Sequence, residues 1–179
     1  GRCLLVTGGT GFLGQALIAK VLTSLGDEVD RVYALIRPRI RTDGQVIDPA
    51  QRLEELFATS LFAPLRTDAD RWEHLKAKVI PIAIDERQSD LGLTTEDRKR
   101  LVQEVDTIFN SAATVVFDEP LNVSLQANID GPMALLELAH ESDRDVHFVH
   151  VSTAYVNGQR HGVIADEELP LDRDVRQII

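Results

Sequence analysis

Five short apolar runs, separated by stretches with helical spacing, give the chain its pattern. Each run is rich in valine, isoleucine or leucine, which is typical of strands buried on both faces of a sheet. The residues between the runs place apolar side chains three or four positions apart, which is the spacing of an amphipathic helix. We predict strands at Cys3–Thr7, Arg31–Ile36, Val79–Ile84, Asp106–Asn110 and Val146–Ser152.

Helices are predicted between these strands. Because strand and helix alternate from end to end, the pattern predicts a Rossmann-type, doubly wound α/β fold: a parallel sheet with helices on both faces, in three layers. Pro81 cannot donate a ladder hydrogen bond, so we expect the third strand at an edge, in the strand order 3-2-1-4-5. The predicted helices are Phe12 to Leu25, with Phe12 and Leu13 in its apolar stripe, Pro49 to Leu65, Asp68 to Lys78, Thr94 (the N-cap) to Val105, and Leu121 to Glu141, interrupted at Gly131 and Pro132.

The composition narrows the class of protein. The chain has 179 residues, which suits one domain, and its formal net charge of −10 argues against a nucleic-acid binder or a partner of anionic membranes. Its single cysteine, Cys3, excludes an internal disulfide and a cysteine metal cage, and it fits a reducing cytosol. No apolar run reaches the roughly 18 residues that span a bilayer. We therefore expect a cytoplasmic protein with no transmembrane segment and no metal.

A glycine-rich turn follows the first predicted strand and opens the first helix. Gly8, Gly11 and Gly14 are spaced three apart. In this context Gly8 makes a tight turn, Gly11 lets the backbone approach a pyrophosphate, and Gly14 lets the helix pack closely on the strand. The N–H groups and the dipole at the helix start then hold the phosphates. The motif predicts a dinucleotide site, and a glycine-rich turn without a ligand is the alternative.

The end of the second predicted strand indicates which dinucleotide is bound. An acidic residue there usually binds the 2′-hydroxyl of the adenosine ribose, but this chain has Arg37, with Arg39 and Arg41 after it. A guanidinium suits a phosphate dianion better than a hydroxyl. NADP(H) is therefore favoured over NAD(H), and a solvated basic loop is the alternative.

The turn Thr7–Gly14 (TGGTGFLG) resembles the start of an extended short-chain dehydrogenase/reductase. Four later segments are similar to the male-sterility, or fatty acyl-CoA reductase, branch of that superfamily, so the resemblance spans nearly the whole chain. Carboxylic acid reductase and thioester reductase domains carry similar motifs. The four segments are RLEELFATSLFAPL (Arg52–Leu65), DLGL (Asp90–Leu93), NSAATVVFDEPL (Asn110–Leu121) and VHVSTAYVNG (Val149–Gly158).

The resemblance implies a set of residues that contact the cofactor. Asp85 matches the acid that hydrogen-bonds adenine, and a cap of the third strand is the alternative. Ala112 and Ala113 match small residues along which the ribose passes. Arg52 reaches back to the 2′-phosphate, unless it is an ordinary surface arginine of its helix. The rest of the set belongs to the glycine turn: Thr7, Gly8, Gly11, Phe12, Leu13 and Gly14.

Three further residues match catalytic positions of the same family. Thr153 matches the hydroxyl that polarises the substrate carbonyl, and Ser152 is the adjacent candidate. Asn128 matches the asparagine that holds a water in the proton relay. Pro132 lacks an N–H and pushes away the carbonyl four residues back, which belongs to Asn128. A kink there frees this carbonyl for the relay, and a plain helix bend is the alternative.

The proton donor of the superfamily is not found in this chain. A Tyr-x-x-x-Lys pair is expected downstream of the Ser-Thr segment, but neither Tyr33 nor Tyr155 has a lysine four residues on. We therefore expect residues 1–179 to be the NAD(P)-binding, N-terminal part of a reductase whose substrate-binding part lies outside them. The resemblance implies NADPH-dependent reduction of a long-chain fatty acyl-CoA, or another acyl thioester, to aldehyde or alcohol. Reduction of carrier-bound acyl groups, and a non-catalytic dinucleotide-binding protein, are the alternatives.

Overall fold

A parallel sheet of five strands lies at the centre of the molecule. The computed structural model describes residues 1–116 and 118–165, and within them the strands are β1 (Arg2–Thr7), β2 (Val29–Ile36), β3 (Arg39–Ile40), β4 (Val46–Ile47), β5 (Val79–Ala83), β6 (Thr107–Asn110) and β7 (His147–His150). The sheet runs in the order β5-β2-β1-β6-β7, which confirms the predicted order 3-2-1-4-5. Since β5 pairs with β2 at one end of this sheet, Pro81 lies on an edge strand as expected.

Helices cover both faces of the sheet and confirm the three-layer Rossmann-type fold. They are α1 (Phe12–Leu25), α2 (Pro49–Phe57), α3 (Ala69–Lys76), α4 (Thr95–Glu104), α5 (Leu121–Leu125) and α6 (Gly131–Glu141), and a π-helical turn at Gln126–Asp130 joins the last two. The side chains of Asp48, Asp68 and Thr94 accept backbone N–H groups at the starts of α2, α3 and α4, so the predicted N-cap Thr94 is confirmed. Among the described helices, none has both the length and the apolar character that crossing a membrane requires.

Two apolar cores lie on opposite faces of the sheet, because successive residues of a strand point to opposite sides. Leu4 and Val6 of β1 pack with α1, α2 and α3 on one face. Leu5 of the same strand packs with α4 and α6 on the other face. The sheet is therefore anchored on both sides, and the loops that follow its parallel strands meet along one edge.

The helix predicted over Pro49–Leu65 is shorter in the structure, where α2 ends at Phe57. Two 3₁₀ turns follow it, at Ser60–Phe62 and Leu65–Thr67. The Arg66 guanidinium donates a hydrogen bond to the Phe57 carbonyl and so satisfies one acceptor at the helix end. Apolar spacing does not reveal this contact, because it is made by a polar side chain from beyond the helix.

The buried face of α1 begins one turn further along the helix than the predicted stripe. Phe12 and Leu13 were expected in that stripe but are 89% and 48% exposed, whereas Ile18, Val21 and Leu22 are buried. The physical reason is position: Phe12 and Leu13 form the first turn of the helix, beyond the end of β1. The later turns lie against the sheet and carry the buried side chains.

The stretch after β2 holds a small hairpin that the sequence pattern did not predict. Its strands, β3 and β4, pair antiparallel around a turn in which Gly44 has a φ of +86°. Each strand is two residues long, which is too short for alternation to be recognised. The hairpin is held to α2 by an ion pair of 2.8 Å between Arg39 and Glu55.

Candidate dinucleotide-binding site

A cleft of about 640 Å³ lies at the carboxyl edge of the sheet, beside the glycine turn. Its walls include the turn after β1, the end of β2 with Arg37, and residues 111–116 after β6. The direction of strand order reverses at β1, since β2 lies on one side of it and β6 on the other. Open α/β sheets bind ligands in the crevice at such a switch point. The cleft is therefore the candidate site.

The glycines of the turn meet three different geometric demands. Gly8 has a left-handed φ of +65°, and a Cβ there would lie 3.0 Å from the backbone of Ala112. A Cβ on Gly14 would lie 2.1 Å from the Gly8 carbonyl oxygen, so α1 packs on the turn at a distance that only glycine permits. A Cβ on Gly11 would lie 3.2 Å from the Gly8 carbonyl oxygen. Apart from the residues next to Gly11 in the chain, no other atom would lie within 4 Å of it. The turn is thus open toward the cleft at Gly11.

Phe12 and Leu13 begin α1, where the first backbone N–H groups have no partner within the helix. Gly11 is the N-cap, and no side chain accepts a hydrogen bond there. These N–H groups are consequently available to an anion, as at other helix starts that bind phosphate. Because both side chains are exposed, the predicted place of Phe12 and Leu13 in a cofactor site rests on their backbone.

The Thr7 side chain is buried and joins the ends of β1 and β6. Its hydroxyl donates to Asn110 Oδ1 at 2.7 Å and accepts from the backbone N–H groups of Ser111 at 3.1 Å and Ala112 at 3.0 Å. The Ser111 hydroxyl in turn donates a hydrogen bond to the Thr7 carbonyl oxygen at 2.7 Å. Thr7 therefore holds the glycine turn against the opposite wall of the cleft, which is a positioning role.

Replacing Thr7 by valine is expected to weaken both stability and dinucleotide binding. Valine keeps the shape but leaves the buried Asn110 side chain and two backbone N–H groups short of a partner, at a cost of about 1–3 kcal/mol for an unsatisfied group. We expect a lower Tm and a higher Kd in titrations of the full-length protein. Thr7→Ser keeps the hydroxyl and is expected to stay close to wild type. A valine variant with unchanged Tm and Kd would contradict this role.

Two arginines meet where the cleft passes the end of β2. Arg52 of α2 donates from Nη1 to the Arg37 carbonyl at 2.6 Å and from Nη2 to Thr10 Oγ1 at 2.8 Å, so it connects the end of β2 to the glycine turn. Burial, followed by repulsion from Arg39 and Arg37, lowers the pKa of the Arg52 guanidinium. Among the described residues no carboxylate forms an ion pair with it. A partly buried cation held by neutral oxygens favours an anion in the cleft.

Asp85 lies just after β5 with both carboxylate oxygens engaged. Oδ1 accepts from Arg87 Nε at 2.8 Å, and Oδ2 accepts from Arg87 Nη2 at 3.0 Å and Gln88 Nε2 at 3.1 Å. The Arg87 side chain, then Gln88, hold the pKa of this carboxyl well below its usual range. The structure thus places Asp85 beside the cleft in a local cap, and contact with adenine stays a prediction that requires one of these partners to move.

Ala112 and Ala113 line the cleft after β6, on the wall that faces the glycine turn. The Ala112 N–H donates a hydrogen bond to Thr7 Oγ1 at 3.0 Å, so this wall is fixed to the end of β1. Their methyl groups leave open the space that a larger side chain would fill. This arrangement fits the predicted passage of a ribose, which stays a prediction.

The Asn128 side chain binds the backbone of the wall. Its Oδ1 accepts from the Thr114 N–H at 2.9 Å, and its Nδ2 donates to the Thr114 carbonyl at 3.2 Å. Asn128 lies in the π-helical turn, which the Gly131 N–H closes on the Gln126 carbonyl five residues back. Since Pro132 has no N–H, the Asn128 carbonyl lacks its usual partner four residues on. The residue shapes the cleft, and its part in a proton relay stays a prediction.

Ser152 and Thr153 follow β7 at the same edge of the sheet. The preceding Val151 N–H still donates to the Asn110 carbonyl, at 2.9 Å, which fixes the chain up to this point. Thr153 Oγ1 accepts from the Tyr155 N–H at 3.2 Å and caps a 3₁₀ turn. An accepting Oγ1 leaves its own proton for donation to a substrate oxygen. Both residues lie outside the walls of the cleft, and their catalytic roles stay predictions.

Thr10 and Glu86 are cleft residues that the sequence patterns did not identify. Thr10 binds Arg52 across 42 positions of sequence, so no local pattern signals the contact. Glu86 forms an ion pair of 2.9 Å with Arg37. Here a signal existed, because Glu86 lies two residues after the predicted strand Val79–Ile84, and ligand-binding residues gather at the carboxyl ends of parallel strands.

Possible metal ligands in the described part of the chain include the histidines of β7, the acidic side chains and Cys3. In residues 1–116 and 118–165 no three side chains of His, Cys, Asp or Glu are grouped to hold an ion. His147 and His150 are three apart on β7, so they point to opposite faces. His150 Nδ1 instead lies 2.9 Å from Asn110 Nδ2.

The sheet and its switch-point cleft define a dinucleotide-binding domain of the Rossmann class. Comparison with known proteins is more specific, since residues 6–176 match the NAD-binding family model described as male sterility protein. The chain belongs to this male sterility family. The match confirms the resemblance carried by the motifs and the nicotinamide dinucleotide as the class of cofactor.

Named relatives and solved structures agree with this family. Fatty acyl-CoA reductase 2, chloroplastic, of Arabidopsis thaliana is 35% identical over 170 residues, covering 93% of this chain and 27% of that protein. Fatty acyl-CoA reductase 1 of Xenopus laevis is 37% identical over 160 residues, covering 89% and 29%. The terminal R domain from the myxalamid PKS-NRPS biosynthetic pathway aligns with a TM-score of 0.70 at 30% identity, covering 94% of this chain and 40% of that one. The chain spans less than a third of the length of these curated relatives.

Proposed function

We propose that the protein to which this domain belongs reduces long-chain fatty acyl-CoA thioesters with NADPH, to the aldehyde, the alcohol or both. The observation that carries the proposal is the family match over residues 6–176, together with fatty acyl-CoA reductases at 35% and 37% identity. Acyl thioesters are the substrate class that these relatives suggest. A cytoplasmic location stays a prediction, and one of the relatives is named as chloroplastic.

The residues of the cleft suit a dinucleotide, whose two nucleosides are joined by a charged pyrophosphate. The uncapped N–H groups at the start of α1 bind the pyrophosphate, and Gly11 lets the phosphate oxygens approach the backbone. Ala112 and Ala113 leave space for the ribose, and Asp85 binds adenine after it releases Arg87 or Gln88. When bound, NADPH supplies the hydride for reduction of the thioester carbonyl, and the protein supplies placement and electrostatics.

The preference for NADPH over NADH rests on Arg37 and Arg52. Arg52 lacks a carboxylate partner among the described residues, and burial, followed by repulsion from Arg39 and Arg37, lowers the pKa of its guanidinium. A 2′-phosphate between Arg37 and Arg52 relieves this repulsion and accepts two charge-assisted hydrogen bonds. A 2′-hydroxyl carries no charge and gives no such relief.

The Arg37→Ala variant is expected to lose NADPH affinity much more than NADH affinity. Only NADPH carries the 2′-phosphate, and loss of a hydrogen bond to a charged group costs about 1.5–3 kcal/mol. Titration of both cofactors against the wild-type and variant full-length proteins measures the effect. Arg41→Ala is the matched control, because Arg41 pairs with Glu55 at 3.5 Å outside the cleft. Equal losses for the two cofactors would refute the assignment.

Reduction of a carbonyl also needs a group that donates a hydrogen bond to the carbonyl oxygen and a second group that supplies a proton. The Thr153 hydroxyl donates a hydrogen bond to the carbonyl oxygen, while the Tyr155 N–H holds Oγ1 in place. Negative charge that develops on the oxygen is stabilised by such a fixed donor. Asn128 holds the Thr114 backbone in the cleft wall, and its freed carbonyl holds a water of the relay.

A second candidate is a thioester reductase that acts on carrier-bound acyl groups. It is favoured by the R domain of the myxalamid pathway, which covers 94% of this chain at a TM-score of 0.70. Incubating the full-length protein with NADPH and either palmitoyl-CoA or a palmitoylated carrier protein separates the two. Oxidation of NADPH with release of free CoA thiol supports our proposal. Turnover of the carrier-bound group alone supports the second candidate, and NADPH binding without turnover of either supports a non-catalytic protein.

A further inference from the structure

An ion pair between Arg37 and Glu86 lies on the boundary between two clefts. The second cleft, of about 620 Å³, lies under the β3–β4 hairpin. Both clefts are lined by Arg37, Arg52, Ile84, Glu86 and Arg87, so these residues form the boundary that the clefts share.

The pair forms because β2 and β5 are neighbours. Their register matches Ile36 with Ala83, and the Ile84 N–H donates to the Ile36 carbonyl at 3.2 Å. Arg37 and Glu86 follow these strands on the same edge of the sheet, and Arg37 Nη1 lies 2.9 Å from Glu86 Oε2. The Glu86 side chain is 21% exposed and that of Arg37 is 63% exposed, so the carboxylate is the more enclosed partner.

The arginines around this boundary differ in whether a carboxylate neutralises their charge. Arg39 pairs with Glu55 and Arg87 pairs with Asp85, each at 2.8 Å. Arg37 is neutralised by Glu86, whereas Arg52 has no such partner among the described residues. The structure therefore holds one anion, the Glu86 carboxylate, on a guanidinium that the proposed cofactor site requires for a phosphate.

We propose that Glu86 is a specificity-determining residue, whose carboxylate occupies on Arg37 the place that the 2′-phosphate of NADPH takes. This inference rests on the proposed preference for NADPH. The Glu86 carboxylate and the 2′-phosphate exchange on the Arg37 guanidinium. The Arg37–Glu86 pair must therefore break before NADPH binds. NADH has no phosphate to exchange and leaves the pair in place. Glu86 thereby limits the margin by which NADPH is preferred.

The Glu86→Gln variant of the full-length protein tests this exchange. Removing the competing charge is expected to lower the Kd for NADPH by about threefold to fivefold, the effect of one surface ion pair, and to change the Kd for NADH by less than about twofold. Both titrations are made at the same low ionic strength, because salt screens a pair as exposed as this one. An unchanged or higher Kd for NADPH would overturn the inference.

Two further variants separate exchange from other effects of charge. Glu96→Gln makes the same change in net charge on α4, where Glu96 is 83% exposed and pairs with Arg100. It is expected to leave both Kd values unchanged, and an equal gain in NADPH affinity would show a long-range charge effect instead. In the double variant Arg37→Ala/Glu86→Gln, the gain from the second substitution is expected to vanish. Persistence of the full gain would exclude exchange on Arg37.

The proposed function and this inference fail in distinguishable ways. If the wild-type protein binds neither cofactor, or prefers NADH, the proposed cofactor preference is wrong and the inference falls with it. If the wild type prefers NADPH but Glu86→Gln does not tighten NADPH, only the inference is wrong.

Discussion

Replacing Thr153 by alanine is expected to lower kcat of the full-length protein by about 10²–10³-fold, the cost of removing one donor from an oxyanion that develops in the transition state. The Thr153 hydroxyl is oriented by the Tyr155 N–H at 3.2 Å, which uses an Oγ1 lone pair and leaves the proton to donate. Because this residue lies outside the walls of the cleft, the Kd for NADPH is expected to change little. Steady-state kinetics with palmitoyl-CoA and a separate cofactor titration measure both quantities.

Two variants serve as controls for Thr153. Thr153→Ser keeps the hydroxyl and is expected to recover most of kcat, which a purely structural role of the side chain does not predict. Ser152→Ala tests the adjacent candidate. If Ser152→Ala loses more activity than Thr153→Ala, the carbonyl is polarised by Ser152 and our assignment is wrong.

The Gly14→Ala variant is expected to destabilise the domain and to weaken dinucleotide binding. Its Cβ would lie 2.1 Å from the Gly8 carbonyl oxygen and 2.8 Å from the Gly9 Cα, and backbone atoms at such distances must move. Overpacking of this kind costs about 1–3 kcal/mol. The movement separates α1 from the turn, so the Kd for NADPH is expected to rise by about tenfold or more, equal to at least about 1.4 kcal/mol.

Gly9→Ala is the matched control in the same turn. Its Cβ would meet the Ile18 Cδ1 atom at 3.1 Å, and the end of a flexible side chain yields more easily than backbone. We expect a smaller fall in Tm and a smaller rise in Kd than for Gly14→Ala. A Gly14→Ala protein with the Tm and Kd of wild type would contradict the packing described for the turn.

The fold follows from the sequence because its signals are local. Apolar runs mark the strands, and Pro81 marks an edge through one missing N–H, so the strand order is predicted correctly. The β3–β4 hairpin was missed because its strands are two residues long. The end of α2 was missed because Arg66, nine positions beyond Phe57, binds a carbonyl of that helix.

The candidate site is predicted unevenly, since its chemistry depends on contacts between distant positions. The glycine turn has a local spacing, and the structure gives each of its three glycines a geometric reason. The contacts of Thr7 with Asn110 and Ser111 have no local sequence signal, because these partners are more than 100 positions away. The pairing of Arg37 with Glu86 also depends on two neighbouring strands, whose contact is known only once the sheet is formed.

We propose that the full-length protein passes a hydride from NADPH to the carbonyl carbon of a long-chain acyl-CoA. The most direct measurement uses the full-length protein, palmitoyl-CoA and NADPH deuterated at the transferable position of C4, followed by mass spectrometry of the products. We predict an aldehyde with one deuterium at C1, or an alcohol with two, and release of one free CoA thiol for each thioester consumed. Products without deuterium, or NADPH that binds and is never oxidised, would contradict the account.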